Sequence, residues 1–183
     1  LPKINKVNGK IILDFDLQKR CDELGISYKL KNNRLQKGRK HSMIPKQYSM
    51  KDWLEFLGWF ISEGNMYKCK PKRYPDKISW RGISHRVVIT QNKGDYKQEI
   101  INLIKRMGFK YSIGEKTITI TNQIVAEILL KETGNGSHNK RIPKWVFSLD
   151  HTLLNNLYES LMKGDGDKTG DRYSSVNKKL CED

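Results

Sequence analysis

From residue 53 to 61 apolar side chains recur at helical spacing, as Trp53, Phe56, Leu57, Phe60 and Ile61. Ser49 stands at the N-cap position and Asp52 falls in the first turn, so the pattern predicts a helix ending at Ser62-Glu63-Gly64. The rhythm returns over 95–108, where Ile100, Ile101, Ile104 and Met107 share a face and Gly108 closes the run. It returns again over 122–134, capped by Asn122 and stopped by Gly134. Between these helices the period drops to two. Residues 84–91 read as a strand, and 110–121 as two short strands joined at Gly114-Glu115, with Ile118 and Ile120 on one side. Residues 65–82 are polar and basic and hold Pro71, Pro75 and Gly82, which suits an edge strand with a turn or a long hairpin loop.

The order is therefore helix, two strands, helix, two strands, helix. This predicts an α+β domain whose helices pack on one face of an antiparallel sheet. Ahead of it, 10–15 reads as a short strand and 16–25 as a helix with Asp16 as N-cap and Gly25 as stop. Residues 29–46 hold seven Lys or Arg and no acid, and read as a mobile basic arm rather than a packed element. After the loop at 134–141 comes a last amphipathic helix, which again ends on an acid and a glycine, Asp165-Gly166. A new strand over 171–177 then seems to restart the first pattern, as an internal repeat whose second copy has barely begun. Three segments follow: a basic N-terminal extension (1–48), a first repeat (49–149) and the start of an incomplete second repeat (150–183).

Charge narrows the picture. Thirty-five Lys and Arg stand against 20 Asp and Glu, a formal net charge of +15 with a pI near 9.7, and the usual partner of such an excess is nucleic acid. A solvated basic surface is the plainer explanation. Cys21, Cys69 and Cys181 are far apart and odd in number, which argues against a zinc site or a disulfide framework. Lys3, Lys6 and Lys10 interrupt any leader-like apolar run, and no stretch is long and apolar enough for a membrane span. The expectation is an intracellular protein (cytoplasmic, nucleoid or organellar), neither secreted nor membrane-bound.

The two acid-ended helices resemble the paired motifs of LAGLIDADG homing endonucleases. In the first, FLGWFISEG (56–64), Gly58 falls at the third position, Glu63 at the acidic eighth and Gly64 at the ninth. In the second, YESLMKGDG (158–166), Ser160, Asp165 and Gly166 take those places, with Ser160 and Lys163 departing from the usual pattern. NKRIP (139–143) resembles the Lys-x-Ile-Pro block of the intein-associated, dodecapeptide-type branch.

That resemblance implies an αββαββα repeat with a saddle-shaped antiparallel sheet and a second repeat opening at the C-terminus. It implies a site-specific endonuclease that hydrolyses phosphodiester bonds in both strands of duplex DNA. On it, Glu63 and Asp165 are catalytic and hold Mg²⁺, with Mn²⁺ as a substitute, while Lys140 steers water or stabilises charge. Gly58 and Ser160 form the helix interface. DNA would be read by Lys68, Lys70, Lys72, Arg73, Arg81 and Arg86, with Lys110 and Lys116 further on. Asp167 and Asp171 read as turn formers, and the four histidines as incidental. The remainder of the second repeat, on another chain or in an uncut precursor, is a further expected partner. The alternative is a non-cleaving nucleic-acid-binding protein on the same scaffold, of maturase or transcription-regulator type.

Overall fold

One helix organises the molecule. Helix α2 (Met50–Glu63) buries Trp53, Leu54 and every residue from Phe56 to Ile61, so over its middle turns it is apolar and enclosed all round, while Lys51, Asp52 and Glu55 give its first turns a polar edge. The computed structural model describes residues 3–7, 10–38, 43–69, 84–167 and 172–182, with side chains described from residue 14 onward.

Against α2 lies an antiparallel sheet in the order β7 (Gly64–Cys69), β8 (Ser84–Thr90), β10 (Thr117–Ile120), β9 (Tyr111–Ile113). Its register pairs Met66 with Val87, Val87 with Ile120, and Ile89 with Ile118. Alternation turns Val87, Ile89, Ile118 and Ile120 into the core. Helices α3 (Gly94–Arg106) and α4 (Gln123–Thr133) complete the helical layer. Arg106 ties α3 to α2 through Asp52 and Glu55, at 2.9 and 3.1 Å. Asn122 caps α4 by accepting from the Val125 amide at 3.0 Å, and Gly134 closes it at φ +78°, where a side chain would be strained. The order from α2 to α4 is the α+β alternation expected.

Among the described residues, the basic stretch expected as a mobile arm is packed into strands. Strands β1 (Lys3–Val7), β2 (Lys10–Asp16) and β6 (Gln47–Ser49) form one sheet, and β3 (Lys29–Lys31), β4 (Arg34–Gln36) and β5 (Ile44–Pro45) another. Helix α1 (Leu17–Glu23) starts at Asp16, whose carboxylate accepts from the Lys19 amide at 2.9 Å. Counting charges over 29–46 missed the spacing of Leu35 and Ile44, which are buried and anchor that basic sheet to the core. Asn32 and Asn33 turn β3 into β4 with φ of 49° and 58°, a backbone that Asn tolerates. Phe15 stacks on Trp53 with ring centroids 4.3 Å apart and planes within 8°. Buried Glu132 of α4 accepts from Arg20 of α1 and from the Trp145 indole.

After α4 a 3-10 helix (Lys144–Ser148) leads to α5 (His151–Asp165), which Asp150 caps. The described part of the expected 171–177 strand, residues 172–177, forms only an isolated bridge, Gly166 to Tyr173, before a short helix, α6 (Lys178–Glu182). No described helix is long and apolar enough to cross a membrane.

Phe15→Ala removes a fully packed ring from between α2 and the N-terminal sheet. Urea denaturation should show a loss of about 3–5 kcal/mol. A loss below about 1 kcal/mol would mean that residues 14–48 fold apart from the α2 core.

Candidate functional site

Helices α2 and α5 run against each other through four small residues. A Cβ built on Gly58 would overlap the Ser160 hydroxyl and come within 2.7 Å of the Leu157 carbonyl oxygen. One turn on, a Cβ on Gly164 would overlap Ser62 and come within 3.3 Å of the Glu63 Cγ. Glycine on one helix thus meets serine on the other at two successive levels, with the roles exchanged. The serines satisfy themselves within their own helices. Ser62 donates to the Gly58 carbonyl at 3.1 Å, and Ser160 to Asn156 and Leu157 at 3.0 and 2.9 Å. Gly58 and Ser160 thus face each other at close range. Ser62 and Gly164 were missed, although both occupy the seventh position of their nonapeptide.

Both helices then end alike. Gly64 and Gly166 leave in extended backbone, at φ −89°, ψ 155° and φ −75°, ψ 158°. Their glycines answer to space rather than handedness, because a Cβ at either would run into the preceding turn, at Phe60 or Met162. Glu63 and Asp165 are consequently the last residues of two helices held at close approach.

The electrostatics follow from that placement. Desolvation, together with the Asp165 carboxylate, raises the Glu63 pKa above its ordinary value, while Lys140 and Lys93 oppose the rise. Asp165 is also raised by burial, against Lys140 and a hydrogen bond from the Tyr173 hydroxyl at 3.4 Å. Lys140 is only 5% exposed. Its ammonium donates to the carbonyl of Ile61 at 2.7 Å and more weakly to that of Ser62 at 3.4 Å, and lies 5.5 Å from the Phe60 ring centre. It caps the C-terminal carbonyls of α2 with a positive charge where the helix dipole favours one. Burial lowers its pKa to about 8, with Asp165 and Glu63 resisting. Asn177 donates to the Lys140 carbonyl and fixes the loop that carries it. Tyr173, Lys93 and Asn177 lie outside both nonapeptides, so no motif marked them.

Among the described residues no group of three or more His, Cys, Asp or Glu could hold a metal ion. Two carboxylates are hard oxygen ligands, so an ion here would take its remaining ligands from water or from a bound molecule, the habit of Mg²⁺.

The basic candidates do not converge. Arg86 pairs with Tyr67 on the open face of the sheet. Lys68 pairs with His85 on the opposite face and lines a hollow with Ala126, Glu127 and Leu130. Lys110 and Lys116 are exposed beside β9 and β10. Lys70, Lys72, Arg73 and Arg81 lie outside the described residues, as does Asp171.

No family model matches the chain. Among curated proteins it is similar to an ATP-dependent Clp protease proteolytic subunit from Chlamydomonas moewusii, 29% identical over 119 residues, which is 65% of this chain and 12% of that protein. The chain thus spans a small part of the relative it matches. This finding overturns the reading of the paired motifs as a LAGLIDADG homing endonuclease of the intein-associated branch. With it fall hydrolysis of both DNA strands, the assignment as a DNA endonuclease, and the maturase or regulator alternative on that scaffold. The relative is by name a proteolytic subunit. Two nonapeptides with one acid each carry too little information to fix a family, because a tight glycine–serine helix pair produces the same spacing for packing reasons alone.

Two measurements test this geometry. Gly58→Ala should destabilise by about 1–3 kcal/mol, and Ser160→Gly in the same chain should recover part of the loss, since the Leu157 carbonyl stays in the way. Strict additivity would deny the contact. For Lys140, the unfolded chain holds a proton between pH 8 and 10.5 that the folded chain lacks, so this residue's contribution to stability increases with pH across that window. Relative to Lys140→Met, wild type should gain up to about 3 kcal/mol from pH 8 to 10.5. An unchanged difference would place the ammonium in solvent.

Proposed function

We propose that the paired ends of α2 and α5 form a divalent-cation site that binds a phosphate-bearing polyanion. The observation that carries this is the meeting of Glu63 and Asp165 at two pinned helix C-termini, where burial raises both carboxyl pKa values. Two desolvated carboxylates at negative helix ends repel each other, and a cation relieves that repulsion. On this reading Glu63 and Asp165 are the metal ligands and Mg²⁺, or Mn²⁺, is the ion. When bound, it supplies positive charge to phosphate oxygens. Lys140 sets the charge of the pocket and holds the α2 terminus in place. Duplex DNA is the proposed polyanion, favoured by the net charge of +15, with Arg86, Lys110 and Lys116 as backbone contacts.

The finer fold reading belongs to the same proposal. Residues 49–149 form one αββαββα unit whose sheet leaves a face open to the polymer, and residues 150–183 begin a second. In support, Gly166 bridges to Tyr173 after α5 as Gly64 opens β7 after α2. The free cysteines Cys21, Cys69 and Cys181 suit a reducing, intracellular setting.

A part in a Clp-type peptidase is the second reading, carried by the relative's name. The shared segment is 12% of that protein, so its named activity need not reside in the matched residues. Among the described residues, His85, His138 and His151 make no hydrogen bond to a serine, threonine or cysteine, the pairing on which a triad depends.

The experiment is thermal unfolding with and without Mg²⁺, followed by duplex binding. Saturating Mg²⁺ should raise the midpoint of wild type by about 3–8 °C and leave Glu63→Gln and Asp165→Asn unmoved. Without metal, each variant should be as stable as wild type at pH 7 or more so, because the raised carboxyl pKa values penalise the ionised form there. Duplex affinity should fall on chelation in wild type only. Equal Mg²⁺ responses in all three proteins would end the metal assignment. Turnover of a fluorogenic peptide by wild type would favour the peptidase reading.

A further inference from the structure

A second charged feature lies where α1, α4 and the segment after Lys140 come together, built from residues that take no part in the Glu63–Asp165 site. It is a groove of about 340 Å³, a size within the usual range for ligand pockets. Arg20 lines it, already paired with Glu132 and Glu23, and four further cations stand on its rim: Lys131, Arg141, Lys144 and Lys179. Two of them are fixed by the backbone. Lys131 donates to the Leu24 carbonyl at 2.7 Å, and Arg141 to the Lys131 carbonyl at 2.7 Å. Each spends one N–H on that contact and keeps the others for a ligand.

The only acid lining the groove is Glu132. It is buried and accepts from Arg20 and from the Trp145 indole, so it does not offset the field of the rim. Apart from these charged groups the lining is apolar, with Ile142 half-buried and Phe147 50% exposed. Exposing half a phenylalanine beside four cations costs hydration free energy in the free protein, which a flat apolar partner would recover.

We infer that this groove binds a nucleotide, its phosphates on Lys131, Arg141, Lys144 and Lys179 and its unpaired base on Phe147. Aromatic stacking beside a basic track is how unpaired bases are held, whatever their sequence. A Watson–Crick duplex presents phosphates without a free base face and would leave Phe147 unused. An acidic peptide would satisfy the cations and lack the flat ring. The chemistry is the same for a free nucleotide and for one unit of a single strand, and the experiment separates those sources.

The test is fluorescence anisotropy of the whole chain with dye-labelled ATP in EDTA, which silences the cation site and makes the two proposals independent. Binding should be saturable, and Phe147→Ala should weaken it by about tenfold. The Lys144→Gln/Lys179→Gln pair should weaken it at least as much and flatten its salt dependence. Lys29→Gln/Lys31→Gln, on the basic sheet elsewhere, should change nothing, and matching thermal midpoints will exclude misfolding. A short oligothymidine that displaces the dye more strongly than ATP does, in a Phe147-dependent way, identifies a strand as the source. Weaker displacement identifies the free nucleotide. The inference is overturned if ATP does not bind, if Phe147→Ala binds as wild type, or if inorganic triphosphate or an acidic peptide competes as well as ATP.

Discussion

The tight crossing of α2 and α5 decides the electrostatics of the acid pair. Helices α2 and α5 touch where Gly58 faces Ser160 and Ser62 faces Gly164, with no room for a Cβ at either glycine. That approach requires a rigid α2, and the surrounding structure supplies it. The sheet, α3 and the N-terminal strands all bury apolar residues of α2, whose Trp53, Phe56, Trp59 and Phe60 are fully enclosed. A helix held on one packed face could shift; the six consecutive buried residues from Phe56 to Ile61 leave α2 no such freedom where α5 crosses it. The serine hydroxyls add to this economy. By donating to carbonyls of their own helices they leave no polar atom in the seam that needs a cross-helix partner.

Two readings of the same local pattern compete here, and the structure separates their physical content. Acid–glycine endings are produced by any pair of helices that cross tightly and then turn sharply into extended chain, since the crossing selects small residues and the turn excludes a Cβ. Those constraints account for Gly58, Ser160, Gly64 and Gly166 without reference to a reaction. They do not account for Glu63, Asp165 and the burial of Lys140. An ordinary helix end would leave its acid in water and its last carbonyls solvated. Here a lysine is taken out of solvent to meet those carbonyls, at the cost of lowering its own pKa to about 8.

Sequence alone made the helices legible, because each carried both periodicity and punctuation. Asp16 and Asn122 cap α1 and α4 as their spacing predicted, and Gly134 closes α4 at positive φ; the Asp150 cap of α5 was not read from the sequence. The strands of the main sheet were legible through β-branched alternation at 84–90 and 117–120. What failed was inference from charge density. Residues 29–46 looked like an arm because they hold seven Lys or Arg and no acid, yet two buried side chains, Leu35 and Ile44, anchor the strands on either side of residues 39–42. Grouping basic strand residues failed for a related reason. Register puts Lys68 and Arg86 on opposite faces, and register is set by pairing partners that a linear reading does not contain. Tyr173 and Lys93 reach the acid pair from elements that no motif connects to it, so only the fold could reveal them.

The charge balance at the seam shows why the site is unsettled by itself. Two ionised carboxylates bring two negative charges, Lys140 returns one positive, and each helix C-terminus adds about half a negative charge. The sum is close to two negative charges in a half-desolvated corner, with Lys93 too exposed to offset much of it. Such a corner can respond in two ways. It can hold protons, which is what the raised pKa values of Glu63 and Asp165 express, or it can hold a divalent cation whose charge matches the deficit. Protonation neutralises the pair but leaves carboxyl groups at helix ends with nothing to bind. On the proposed reading a divalent cation would neutralise the pair with Glu63 and Asp165 as its ligands. Lys140 opposes both responses with its own charge, and its hydrogen bonds to Ile61 and Ser62 keep it from collapsing onto either acid, so the pair stays only partly compensated by the protein itself.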